Sequence, residues 1–95
     1  MLPRQEILDK SMDLLRAIDH PIRVTILTLI AAKGPIKVND IIQHLNLNQA
    51  LVSQQLKILR EVKLVRFTKV KTEVHYQLNI ERLAIVEKAL KKCFK

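Results

Sequence analysis

Gln49, Ser53, Gln54, Lys57 and Arg60 lie within one short stretch of this chain, and their types suit one kind of chemistry. Side-chain amides can form paired hydrogen bonds with an adenine edge in the DNA major groove, and a hydroxyl can donate or accept beside them. Lysine and arginine farther along can meet phosphate oxygens. The stretch runs from Asn48 to Val62, and its apolar residues Val52, Leu56 and Leu59, with Ile58 and Val62 alongside, recur at helical spacing. The polar residues therefore share the opposite face. Asn48 opens the helix as a suitable N-cap, because its side-chain oxygen can accept from a free backbone N–H two or three residues on. Solvated helix faces are dominated by Glu and Lys, whereas this one carries amides, a hydroxyl and cations. A plain solvated helix is the alternative, and the flanking sequence decides between the two.

Other candidate chemistry is thinner. His20, His44 and His75 fall in three different elements with no close ligand spacing. Zinc needs about three or four converging ligands, so no metal site is expected. The expected roles are a helix-start residue for His20, a surface residue for His44 and a strand residue for His75. Cys93, the one cysteine, sits beside Lys91, Lys92 and Lys95, whose charges favour the thiolate and its reactivity. A redox switch or an intersubunit disulfide there stands against a terminal thiol with no function. An enzyme is not expected. A single Gly allows no Gly-rich phosphate loop. Ser11 and Ser53 have no His and Asp beside them in sequence, and the carboxylates sit mostly among Lys and Arg as surface charge.

Length and charge point the same way. Ninety-five residues make one domain, expected over 1–95. A chain this short buries only about 60–70% of its unfolded surface, which leaves apolar area for a partner subunit. The single Cys excludes an intrachain disulfide. No apolar run approaches the ~18–20 residues of a membrane span, and the N-terminus lacks the apolar block of a signal peptide, so the cytoplasm is the expected compartment. The net charge of +8 is uneven: residues 1–35 carry five Lys and Arg against four Asp and Glu, residues 36–79 seven against three, and residues 80–95 five against two. An excess in the middle and tail suits a polyanion.

The elements that must position the polar face can be taken in order. Residues 4–18 have helical spacing, with Ile7, Leu8, Met12, Leu14, Leu15 and Ile18 covering more than one face, as suits packing on a core and on a partner together. Asp19-His20-Pro21 breaks the chain, and Pro21 suits the first turn of a second helix over about 21–32, nearly all apolar and hence central. Lys33-Gly34-Pro35 stops it. Ile36-Lys37-Val38 forms a short extended piece, and Asn39 caps a third helix over about 40–45, with Ile41, Ile42 and Leu45 inward. Asn46-Leu47-Asn48 then leads directly into the polar-faced helix, giving a helix-turn-helix. Runs 64–70 and 73–79 are strand-like, and Lys71 and Thr72 between them make a basic hairpin tip, or wing, although no Gly marks the turn. Residues 80–94 form a last amphipathic helix with Ile80, Leu83, Val86 or Ala84, Leu90 and Phe94 in its stripe, suited to a dimer or to its own domain. The expected fold is mainly α with a small β-hairpin: a winged helix-turn-helix in the order helix, helix, short extended piece, helix, helix, strand, strand, helix.

Three stretches resemble the ArsR-type winged-helix repressors, a family that includes arsenical and metal sensors. Ala17-Ile18-Asp19-His20-Pro21-Ile22-Arg23-Val24-Thr25-Ile26-Leu27 is similar to the start of that family's second helix. Asn48 through Arg60 resembles its recognition helix, and Leu64-Val65 with the basic hairpin ending in Tyr76-Gln77-Leu78 resembles its wing. The resemblance covers roughly residues 14–80. It implies a homodimeric regulator of transcription bound to double-stranded DNA, with Gln49, Ser53 and Gln54 reading bases. Asn48, Lys57, Arg60, Lys69, Lys71 and Thr72 are the implied phosphate and wing contacts. The first and last helices would form the dimer interface, through Ile7, Leu8, Leu83, Leu90 and Phe94. The chain departs from the family's sensors in lacking the Cys-containing motif in its third helix and the Asp and His pair in its last helix. Neither usual metal site therefore carries over, and no cofactor is expected. A small molecule, a redox event or a partner protein remains open as the effector. Two other functions stand beside this one: a winged-helix protein-interaction module, and a general nucleic-acid binder, for which Phe67, Tyr76 and Phe94 offer few stacking rings.

Overall fold

The computed structural model describes residues 12–93, with their side chains apart from those of residues 89, 90, 92 and 93. Residues 12–18 are helical (α1), and Leu14 and Ala17 are buried while Leu15 and Ile18 pack on the edge of the core. The expected helix residues before position 12 lie outside the described residues.

Helix α2, Pro21–Lys33, starts with its proline in the first turn, where a missing N–H costs nothing. Ile26 and Ile30, one turn apart, enter the core and are fully buried. The opposite side is open: Val24 is 47% exposed. There Thr25 and Thr28 turn their hydroxyls back to donate to the carbonyls of Pro21 and Val24 at 2.8 and 2.7 Å. Gly34 closes the helix by donating its N–H to the Ile30 carbonyl at 2.7 Å. Its φ of −64° is ordinary, so left-handed freedom does not explain the glycine. Close approach does, because a Cβ there would lie 2.6 Å from the Ile30 carbonyl oxygen.

Strand β1 is two residues, Ile36–Lys37, and α3 begins at once, spanning Val38–Leu45. This corrects the expectation of a cap at Asn39. The N-cap is Lys37, which makes no side-chain cap bond. The reason is tertiary: Ile36 and Lys37 pair antiparallel with Tyr76 and His75, and that pairing fixes where the chain leaves the sheet. Asn46 ends α3 in the left-handed region, at φ 52° and ψ 45°, a conformation that Asn tolerates better than most residues. Leu47 and Asn48 complete the turn into α4, Gln49–Glu61. Lys63, at φ 63°, closes α4 with its N–H on the Arg60 carbonyl, and Leu64 donates to Leu59 at 3.0 Å.

Strands β2, Val65–Val70, and β3, Glu73–Leu78, pair antiparallel from Val65↔Leu78 to Val70↔Glu73. The order in the sheet is β1-β3-β2, so β1 converts the hairpin into three strands. The turn is Lys71-Thr72, and Lys71 takes φ 59° where a glycine is usual.

Helix α5, Ile80–Cys93, packs Val86 into the core and Leu83 and Ile85 against it. Ile80 does not join that stripe as expected, since it is 77% exposed. Its neighbour Asn79 sets the helix phase. Asn79 is buried, donates Nδ2 to the Lys63 carbonyl at 2.8 Å and accepts from the Arg82 N–H at 3.3 Å. The core therefore gathers Leu14, Ile26, Ile30, Ile41, Val52, Leu56, Leu59 and Leu64 from every helix up to α4 and the start of the wing. The elements follow the expected order, a winged helix-turn-helix.

Candidate nucleic-acid interface

Helix α4 divides cleanly. Val52, Leu56 and Leu59 are buried on its inward side. Gln49, Ser53, Gln54, Lys57 and Arg60 are all exposed on the other. Gln55 goes inward with the apolar residues, 7% exposed, and its Oε1 finds no partner among the described residues. The two neighbouring glutamines thus have opposite fates, because one residue of helix turns the side chain by about 100°.

Asn48 caps this helix as its residue type suggests. Its Oδ1 accepts from the Ala50 N–H at 2.7 Å and the Leu51 N–H at 3.3 Å. That occupies the oxygen and leaves the side-chain NH₂ as the group that can face a phosphate. Replacing Asn48 by Ala is expected to lower the stability of the protein by about 1 kcal/mol in urea denaturation, the usual worth of an N-cap. A change below about 0.3 kcal/mol would show that the cap is not formed in solution.

The wing stands beside α4. Lys69, Lys71 and Thr72 are exposed along its outer strand and tip. Between α4 and β2 lies an open groove of about 800 Å³. Ser53, Lys57 and Arg60 line one side, Arg66 and Phe67 the other, with Leu56, Val65 and Tyr76 on the floor. The Arg60 guanidinium sits over the Phe67 ring, 4.2 Å from its centroid. Arg66 is drawn to Glu81 of α5 at 2.9 Å.

Two sets of contacts flank the wing, one between the start of α5 and the turn that follows α4 and one within the sheet. At its base, Arg82 Nε donates to the Val62 carbonyl at 3.1 Å, beside the Asn79 bond to Lys63. On its flank, Glu73 meets Lys37 of β1 at 3.3 Å and His75 at 3.4 Å. Lys37 first, through its hydrogen bond and its charge, and His75 second hold the Glu73 carboxyl below its ordinary range. The Lys37–Glu73 ion pair is solvent-exposed and contributes little to stability.

The remaining sequence-predicted residues scatter. His44 is exposed, with Nδ1 2.8 Å from the Asp40 carbonyl, and His20 stands at the start of α2 without capping it. Among the described residues no three His, Cys, Asp or Glu side chains gather as metal ligands would. Among them, too, no helix is long and apolar enough to cross a membrane. Of the expected dimer residues, Leu83 is half-buried against its own core. Ile7, Leu8 and Phe94 lie outside the described residues, as do the side chains of Leu90 and Cys93. Sequence reasoning missed the parts played by Phe67, Arg66, Asn79 and Arg82. No spacing rule links residues on different elements, although an aromatic among strand cations was a signal for Phe67.

The fold has counterparts. The family described as bacterial regulatory protein, arsR family, matches residues 20–66, from the entry to α2 through α4 into β2. The chain is 38% identical over 82 residues to the HTH-type transcriptional repressor SmtB of Mycobacterium tuberculosis, a match covering 86% of this chain. It spans about 60% of the length of the curated relatives it matches. Its fold is that of an ArsR-like transcriptional regulator from Rhodococcus sp. RHA1, with a TM-score of 0.82 at 19% identity over 90% of this chain and 80% of that one. The transcriptional repressor PagR of Bacillus anthracis is similar at a TM-score of 0.74 and 29% identity, over 86% of this chain and 94% of that one. The match over residues 20–66 and the repressor relative together place the helix-turn-helix of this chain in the arsR family of bacterial regulatory proteins.

Proposed function

We propose that this chain is a sequence-specific DNA-binding repressor that acts in the cytoplasm as a homodimer on an inverted-repeat operator. The observation that carries the reading is the exposed face of α4, where Gln49, Ser53, Gln54, Lys57 and Arg60 stand open beside a wing bearing exposed Lys69 and Lys71. Amides and a hydroxyl suit base edges, and the flanking cations suit phosphates. A dimer would present two such helices to successive major grooves about 34–36 Å apart. The basic excess of the chain adds a sequence-independent, salt-sensitive attraction. The residue pattern lacks the family's usual metal motifs, which favours a small molecule, a redox event or a partner protein over a metal ion for any effector.

The test is selection of bound duplexes from a random-sequence pool at moderate salt, followed by sequencing. An enriched palindrome establishes the dimeric repressor and names its operator. Binding without enrichment points to a general nucleic-acid role, and no retention points to an interaction module. On the selected duplex, Gln54→Ala is expected to weaken binding by about 1–3 kcal/mol, the worth of one good base contact, while random DNA is bound almost as before. Equal losses on both duplexes would remove Gln54 from base reading.

A further inference from the structure

We propose that Phe67 is a positioning residue for Arg60: strand β2 holds the guanidinium by its face so that its edge is presented to a DNA phosphate. The proposal rests on the DNA-binding reading above.

Phe67 is 47% exposed in the middle of a strand, so burial does not account for the ring. It is held from one side. Its cross-strand partner Tyr76 is buried, and the two rings lie 6.2 Å apart at 43°. The Phe67 ring also takes the Arg60 guanidinium at 4.2 Å, across the groove between wing and α4. Arg60 has no carboxylate within ion-pair distance among the described residues, whereas Arg66, one residue before Phe67, is tied to Glu81. The two arginines at the groove therefore differ in kind. One is neutralised by a carboxylate, and the other is steadied by a ring that leaves its full charge.

Stacking uses the flat face of a guanidinium and leaves its in-plane N–H donors free for a phosphate. An unsupported arginine gives up its rotamer freedom when it binds, while a stacked one has given up part of it beforehand. Arg60 shares the exposed stripe of α4 with Ser53 and Lys57, which line the same groove. The ring thus sets a cation at the junction of helix and wing, where it fixes their register on the duplex.

The experiment is a double-mutant cycle on the selected duplex and on a random-sequence duplex of equal length. Phe67→Leu keeps an apolar side chain and removes the ring. It is expected to lower affinity roughly threefold to tenfold on both duplexes alike, as suits a partly solvated cation–π pair. In an Arg60→Gln background the same change is expected to have almost no effect. Phe67→Trp, which keeps a ring face, is expected to retain wild-type affinity. In the free protein, the ring-current shift of the Arg60 Nε proton is expected to vanish in Phe67→Leu and persist in Phe67→Trp. Equal losses in both Arg60 backgrounds would overturn the proposal, since Phe67 would then touch DNA itself or merely prop the wing. Full affinity in Phe67→Leu would overturn it too. If the wild-type protein binds neither duplex, the DNA-binding reading fails and takes the proposal with it, and the proton shift still tells whether the stack exists.

Discussion

Leu59→Ala is expected to cost the protein about 2–5 kcal/mol of unfolding free energy. Leu59 is fully buried on the inward side of α4, in the same core as Ile26, Ile30 and Leu56. Removing its branched end strips apolar packing from α4 and leaves a cavity that neighbouring helices fill only in part. Small domains hold about 5–15 kcal/mol in total, so the loss is a large fraction of what keeps the fold. The consequence for function follows from geometry. The residue sits one position from Arg60, and the helix that presents the exposed face is the helix the core anchors. Urea denaturation measures the free energy, and DNA binding at low temperature checks the coupling. The folded fraction of the variant is expected to bind with the wild-type salt dependence, because no charge has changed. A loss below about 1 kcal/mol would mean that α4 does not pack through Leu59.

Replacing Lys69 and Lys71 together by Gln is expected to weaken binding to selected and random duplexes equally, by about tenfold or more at moderate salt. Both lysines are exposed on the wing, and neither is paired with a carboxylate among the described residues. Each phosphate that is no longer neutralised lowers the slope of log affinity against log salt by about 0.9, so the double replacement should flatten it by about 2. Equal effects on the two duplexes separate this change from Gln54→Ala, whose effect is sequence-dependent. The difference reflects chemistry: an ammonium meets a phosphate oxygen that every base pair shares, whereas an amide meets an edge that one base pair owns. An unchanged slope would place the wing off the backbone and leave α4 to hold the duplex alone.

What could be read directly from the chain was local. The cap at Asn48, the inward residues of α4, the start of α2 at Pro21 and its stop at Gly34 all depend on neighbours within about one helical turn. Periodicity over such windows also gave the order of elements and the polar face of α4. The resemblance to winged-helix repressors rested on the same local patterns, and family membership agrees with it.

What only the tertiary structure decided was set by residues far apart in sequence. Pairing of Ile36 and Lys37 with Tyr76 and His75 moved the start of α3 to Val38 and made Lys37 its cap instead of Asn39. The bond from Asn79 to Lys63 turned Ile80 out to solvent despite its place in an apolar stripe. The strand register forced Lys71 into a left-handed turn that no Gly announced. The stack of Arg60 on Phe67 needed α4 and β2 to be brought side by side. At the start of α3 the local preference is worth about 1 kcal/mol, as for an N-cap. Long-range pairing and burial outweigh it, and they are decided only when the whole chain packs.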